Sequence, residues 1–442
     1  MESASQSLIL VIGKDAQLFE LIRKATDERT KVDYVSAESE GLNQLRETRP
    51  QIIILTSSEP AESVIGLSRK LREGWISRHS SLLVVEHNAA NDTYRILSEE
   101  NISMNLGPYL FQAGKAVAPV SGEQFIPALG KVINAELKAR ENRFKNAILD
   151  PDGFCLVWEQ IPGPGAFETR QEIVLENARK AARSNRICAI SVTDNPGGNP
   201  AIATDVLCAE IKRSGIEPLV HIAFRDRNRN QAESLLFQLA ALDINNLLVL
   251  TGDYPSHLGF TGKAKPVFDL DSVNGLRLIA EMNRGLEREI MRKSTRLAPT
   301  NFFAGVAFSP FKQMEAEVMG QYFKLKKKIE AGAHFVITQV GYDARKLHEL
   351  LMWLKVFGYK IPVLASIYVL SYPVARAMRA NHIPGCVVTA KLLRQLASES
   401  ASEDHGKQLR LERAAKMLAI VKGMGYKGAY ISGQALPFES LE

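Results

Sequence analysis

The chain has 442 residues, 45% hydrophobic and 24% charged, a globular balance that excludes a disordered or fibrous chain and, at roughly 100–200 residues per domain, leaves room for two or three domains. No run approaches the roughly 18 uninterrupted apolar residues of a membrane helix, and MESASQSLILVIG has no basic region ahead of its short apolar run, so a cytoplasmic protein with no membrane partner is expected. A net charge of +6 is mild, and the cluster Lys324, Lys326, Lys327 and Lys328 is not interleaved with aromatics, which argues for an anionic small molecule rather than nucleic acid.

From residue 7 short β-branched runs alternate with amphipathic stretches, the order of a parallel sheet covered by helices. Strands are expected at Leu8–Ile12, Val32–Ser36, Gln51–Thr56 and Ser81–Glu86, with helices near 15–28, 38–48, 60–73 and 90–100 and a long closing helix over 123–147. This pattern, with DAQLFELIRKA and RPQIIILTSS, resembles a response-regulator receiver domain of flavodoxin-like fold. That resemblance implies clustered carboxylates after the first strand and a phosphoacceptor aspartate ending the third. Here Asp15 stands alone, and the third strand ends in Thr56-Ser57-Ser58. A degenerate receiver-like module for docking or dimerisation is therefore expected over residues 1–148, in place of a phosphorylation switch.

ENRFKNAILDPDGF ends a charged helix in an Asp-Pro-Asp-Gly turn, which sets the start of a second domain, 149–442. Eight strands are expected there, at Phe154–Gln160, Ile187–Asp194, Pro218–Phe224, Asn246–Gly252, Phe302–Phe308, Phe335–Val340, Pro362–Val369 and Gly428–Gly433. Helices near 168–184, 200–214, 228–243, 271–288, 314–331, 343–357 and 371–381 follow the first seven, and one near 406–424 precedes the eighth. The fold class is α/β, a (β/α)8 TIM barrel after a smaller α/β domain, with an open doubly wound sheet as the alternative. Four cysteines, Cys155, Cys188, Cys208 and Cys386, lack the close spacing of metal or redox motifs, so buried thiols and no metal are expected.

An active site in such a barrel lies at the carboxyl ends of the strands, where this chain places Glu159-Gln160, Thr193-Asp194-Asn195, His221 with Arg225-Asp226, Thr251-Gly252-Asp253, Ser309, Thr338-Gln339 with Asp343, and Ser371-Tyr372. Polar side chains ending apolar strands need partners or a cavity, since burying one unpaired costs about 1–3 kcal/mol. The competing reading is that they cap strands and helices.

The segments WEQIPGPG, ISVTDNPGG, PLVHIAFRDRNRN, INNLLVLTGDYP, FDLDSVNGL, FFAGVAFSP and KKKIEAGAHFVITQ, in this order, resemble methylenetetrahydrofolate reductase. The resemblance covers nearly all of 151–442, and LTGDYP and AGAHFVITQ are its specific signals. It implies bound FAD and reduction of 5,10-methylenetetrahydrofolate to 5-methyltetrahydrofolate, hydride passing from a donor to flavin N5 and then to the methylene carbon. Glu159 is then the general acid that protonates the departing nitrogen, unless it merely pairs with Arg170 or Arg225. Asp253 lies where the family bonds the amino-pyrimidine edge of the folate and tunes the flavin, Gln339 where it bonds the pterin ring, and Tyr372 by the substrate. Thr193, His221, Leu250, Thr251, Gly252 and Phe308 fall at flavin contacts, and Lys328 near the FAD phosphates; His221 is otherwise an ordinary buried strand histidine. Departures include Phe308, Phe311, Gln321 and Lys324 where better-known members place Tyr, His, Asp and Asn, and Tyr368 in place of a proline. NAD(P)H or an electron-transfer partner protein is the implied donor, which the sequence does not identify further, since no Gly-rich dinucleotide fingerprint follows a strand, and a homo-oligomer is expected. The alternative function is a non-catalytic or partner-dependent pterin- or flavin-binding subunit of a larger methyl-transfer or electron-transfer complex.

Overall fold

The computed structural model describes the chain except residues 1–6, 29, 58–66, 69, 72–79, 89, 91, 98–119, 255–263, 291–292, 313, 381–382, 384, 434–435 and 442. It falls into two units, Met1–Glu141 and Asn142–Glu442. Among the described residues no helix is long and apolar enough to cross a membrane.

The first unit is a six-stranded sheet of β1 (Ser7–Ile12), β2 (Thr30–Val35), β3 (Ile52–Ser57), β4 (Ser81–Asn88), β5 (Thr93–Leu97) and β6 (Val120–Ser121), ordered β2-β1-β3-β4-β5-β6. The first four strands are parallel, and the apolar runs of β1, β3 and β4 follow from burial on both faces. Ile9, Val11, Ile52 and Ile54 pack on Phe125, Leu129 and Ile133 of helix Gly122–Arg140, while Leu10, Ile53 and Leu55 face Leu45 on the other side. Asp15 caps helix Ala16–Lys24, accepting the Leu18 N–H at 2.9 Å.

Two expectations fail here. Residues 93–97 form β5, antiparallel to β4, instead of lying in a helix over 90–100, because Tyr94 and Ile96 alternate with Thr93 and Arg95 and bury only the apolar pair. The long closing helix is in fact two. Asn142 interrupts it and caps a new helix, Arg143–Leu149, by accepting the Lys145 N–H at 2.9 Å. The expected helix near 60–73 lies largely outside the described residues.

The second unit is a closed barrel of eight parallel strands, β7 (Cys155–Gln160), β8 (Ala189–Val192), β9 (Glu217–Ala223), β10 (Asn246–Leu250), β13 (Phe303–Phe308), β14 (Phe335–Thr338), β15 (Val363–Tyr368) and β16 (Gly428–Ser432), each inside a segment read as a strand except β9, which starts one residue before its expected Pro218. An antiparallel hairpin, β11 (Glu287–Ile290) and β12 (Lys293–Arg296), adds itself before β13; its first strand takes the end of the helix expected over 271–288, which stops at Arg284. Side chains alternate along every strand. Val157, Ala189, Leu219, Leu248, Phe303 and Phe335 point inward, and Trp158, Ile190, Val220, Val249, Val306 and Val336 pack against the surrounding helices.

Phe144 and Ile148, on the short helix just before β7, are 0% and 1% exposed and close the amino end of the barrel. The Phe144 ring meets Phe335 edge-on at 5.4 Å and Phe303 at 6.2 Å. The pairing of β7 with β8 also sets Cys155 of β7 beside Cys188 just ahead of β8, a neighbourhood their sequence spacing does not show. The two share a hydrogen bond that leaves Cys188 the more acidic of the pair.

Candidate functional site

At the carboxyl end of β7 the alternation that turns Val157 inward turns Glu159 inward as well. Burial pushes its carboxyl up to about 7, against the opposing pull of a hydrogen bond from Tyr430. Glu159 therefore does not take Arg225 as its partner; that guanidinium pairs with Asp226, Nε to Oδ1 at 2.7 Å. Below the carboxyl, three strands contribute a polar triangle inside the barrel. Ser191 Oγ of β8 lies 2.9 Å from His221 Nε2 of β9, and Tyr430 Oη of β16 lies 3.0 Å from each. Burial drives His221 down to about 4 in spite of Asp194, so its imidazole is neutral at physiological pH. The same burial, followed by the proximity of Glu159, keeps Tyr430 a phenol.

The ends of β8, β9 and β10 are tied into one rim. Asp194 accepts the Ala223 N–H at 2.9 Å and pairs with Arg227, while the Arg225 N–H donates to the Thr251 carbonyl at 2.8 Å. Gly252 follows with φ +97°, and an added Cβ would stand 3.0 Å from Arg225 Cβ, so the backbone passes close over the arginine. Asp253 comes next, its carboxyl raised by burial against the pull of Arg225 and the Gly197 N–H. Burial first, then Asp253 and Glu159, push the Cys386 thiol up to about 11, which places both carboxyls within electrostatic reach of one sulfur. Three buried polar atoms around this opening have no partner among the described residues: Thr193 Oγ1, Arg225 Nη1 and Ser432 Oγ. No described residue satisfies them, so a ligand with complementary groups would.

The other expected residues divide. Leu250 turns inward and packs on the interior cluster. Thr251 Oγ1 lies 3.2 Å from Ser272 Oγ and receives Lys324 Nζ at 3.4 Å. Gln339 donates its N–H to the Phe308 carbonyl, accepts the Val340 N–H on its own Oε1 at 2.8 Å, and sends Nε2 toward Gly385. Tyr372 opens helix Tyr372–Arg379, half-buried in an apolar cluster with Tyr342, Tyr368 and Cys386.

Two expectations are corrected. Phe308 has the wrong parity for the interior: its ring lies in the strand–helix layer, 4.9 Å from Tyr322, so only its backbone faces the opening. Lys328 does not stand free for a phosphate. It is buried on helix Glu315–Glu330, its Nζ donates to the Ala307 carbonyl at 2.6 Å, and burial followed by Lys324 lowers it to about 8. Lys324, one turn earlier, is the lysine that reaches Thr251. Ser191, Tyr430 and Cys386 were missed; Tyr430 sits in an ordinary apolar strand, and only barrel closure reveals its partners.

A model of the methylenetetrahydrofolate reductase family matches residues 163–431. No curated protein matches the sequence. Similar solved structures include an uncharacterized protein from Clostridium thermocellum that binds two copies of 5-methyl-5,6,7,8-tetrahydrofolic acid, at 12% identity and TM-score 0.47 over 67% of this chain and 95% of that one. They include also 2,3-dimethylmalate lyase of the PEP mutase/isocitrate lyase superfamily, at 12% identity and TM-score 0.39 over 66% and 79%. Oxaloacetate acetylhydrolase with the inhibitor 3,3-difluorooxalacetate is similar at 11% identity and TM-score 0.37 over 66% and 80%.

Proposed function

Since the chain belongs to the methylenetetrahydrofolate reductase family, we propose that it reduces 5,10-methylenetetrahydrofolate to 5-methyltetrahydrofolate with bound FAD, drawing electrons from NAD(P)H or an electron-transfer protein. The observation that carries the reading is Glu159, just ahead of the matched span. It is a carboxyl inside the barrel mouth, raised to about 7, without a basic partner among its hydrogen bonds. Opening the five-membered ring of the folate needs a proton on the departing nitrogen, and a general acid works best with a pKa near the operating pH.

The residues present fit a flavin in part. Thr193 Oγ1 and Arg225 Nη1 offer unsatisfied polar atoms, the Gly252 backbone passes without a Cβ, and Lys324 supplies a positive charge beside Thr251. FAD, when bound, supplies the hydride chemistry. The protein's own share is positional and electrostatic. Asp253 offers two acceptor oxygens for the side-by-side donors of an amino-pyrimidine edge, Gln339 offers its Nε2 to the pterin, and the neutral His221 leaves the pocket without an extra positive charge.

The test is the colour and its response. Purified protein should show flavin absorbance, bleach anaerobically with NADH, NADPH or reduced ferredoxin, and regain colour with methylenetetrahydrofolate. A colourless protein that cannot be reconstituted with FAD would overturn the proposal. It would favour the second reading, a pterin-binding subunit of a larger complex, which draws on Phe308 turned outward and Lys328 engaged by Ala307.

A further inference from the structure

We propose that Tyr430, held by Ser191 and His221, is the positioning residue that aims and steadies the Glu159 carboxyl from beneath. The inference rests on the reading of Glu159 as proton donor. Tyr430 is level with Val157 in the β16–β7 pairing, one inward position below Glu159, so its hydroxyl lies beneath the carboxyl and near enough to pull its acidity down. Strand approach fixes that height: a Cβ added at Gly428 would fall 2.1 Å from the Cys155 carbonyl oxygen, so β16 and β7 meet without a side chain between them.

The hydrogens of the triangle can be assigned from chemistry. The neutral imidazole has one acceptor nitrogen. Tyr430 Oη donates to Ser191 Oγ at 3.0 Å, and Ser191 in turn fills Nε2 when that nitrogen is the acceptor. In this arrangement Tyr430 Oη is free to accept from a Glu159 carboxylic acid; a carboxylate can only accept, and takes the phenolic proton once the O–H turns from Ser191. One side chain thus serves both protonation states of Glu159, and no proton has to leave the group. With Ser191 0%, Tyr430 4% and His221 8% exposed, water does not substitute for the contacts among these three. A phenylalanine at 430 would fill the same ring volume, so the hydroxyl answers to Glu159 and its supports, not to packing.

Among the described residues the titratable groups around Glu159 are Tyr430 on β16, His221 on β9 and, from the loops, Cys386 with Asp253. His221 stays neutral and Cys386 stays a thiol across pH 6–9, so a shift in that range reports the Glu159–Tyr430 contact. Tyr430→Phe removes a donor that favours the carboxylate, and the Glu159 midpoint moves upward by about one pH unit. The folate half-reaction slows by about tenfold or more through lost aim, and by more than the donor half-reaction does. Its alkaline limb shifts to higher pH.

The midpoint is read without turnover from the carboxyl C=O stretch in infrared difference spectra, identified by its loss in Glu159→Gln. An unmoved stretch midpoint and unmoved limb in Tyr430→Phe overturn the proposal, whatever the rate. Should that variant fail to fold, Ser191→Ala is used; it frees Nε2 to draw the Tyr430 proton away from Glu159, and the midpoint again rises. If the wild-type protein turns over no folate while the stretch midpoint still moves, the functional reading fails and the positioning stands.

Discussion

A glutamate of ordinary acidity would be almost wholly ionised at neutral pH, and burial at the end of β7 changes that for Glu159. With its carboxyl at about 7, roughly half the molecules hold the proton at neutral pH. In the proposed role the acid form does the work, so the folate half-reaction should decline as pH rises through about 7, which stopped-flow traces between pH 6 and 9 will read; a rate that climbs across that range rules the role out. Glu159→Gln should retain flavin absorbance while folate turnover drops by roughly 10²–10⁴-fold. Asp253→Asn should impair folate reduction more than flavin reduction by the donor, and equal losses would point to a folding defect. Glu159, Asp253 and Gln339 were legible in the sequence because each ends a strand or follows it in a segment of family character. Tyr430 and Ser191 were not, since they are 239 residues apart and their meeting depends on β16 closing against β7. Phe308 was misplaced by a single step of alternation: it ends a strand, as site residues do, but on the outward face.

At the scale of elements the barrel strands declared themselves as short apolar runs, and all eight were found where those runs lie. Which face of each run looks inward was not legible, because both faces of a barrel strand are apolar and only the closed ring separates them. The clearest failure is β5: Thr93–Leu97 alternates with the period of a strand, where a helix was expected over 90–100. Inside the barrel Gly305 is required by its neighbour, since an added Cβ would fall 2.1 Å from the Phe335 ring. Gly305→Ala should therefore cost about 1–3 kcal/mol, measured as a lowered urea midpoint, and a neutral result would show that Phe335 can yield.

For the whole molecule the telling boundary is Asn142. A boundary near 148 follows from the Asp-Pro-Asp-Gly turn, whereas the helix Arg143–Leu149 packs with the barrel through Phe144 and Ile148. A chain begun at Asn142 should fold as a barrel. One begun at Pro151 lacks both side chains, each worth roughly 1.5–3 kcal/mol of burial, and should unfold at markedly lower urea; equal midpoints would deny the helix its part. That helix also limits traffic. With the amino end stoppered by Phe144 against Phe303 and Phe335, the proposed electron donor and the proposed folate would both enter from the carboxyl mouth. On that proposal they take turns, and initial-rate plots against one substrate at several levels of the other should run as parallel lines.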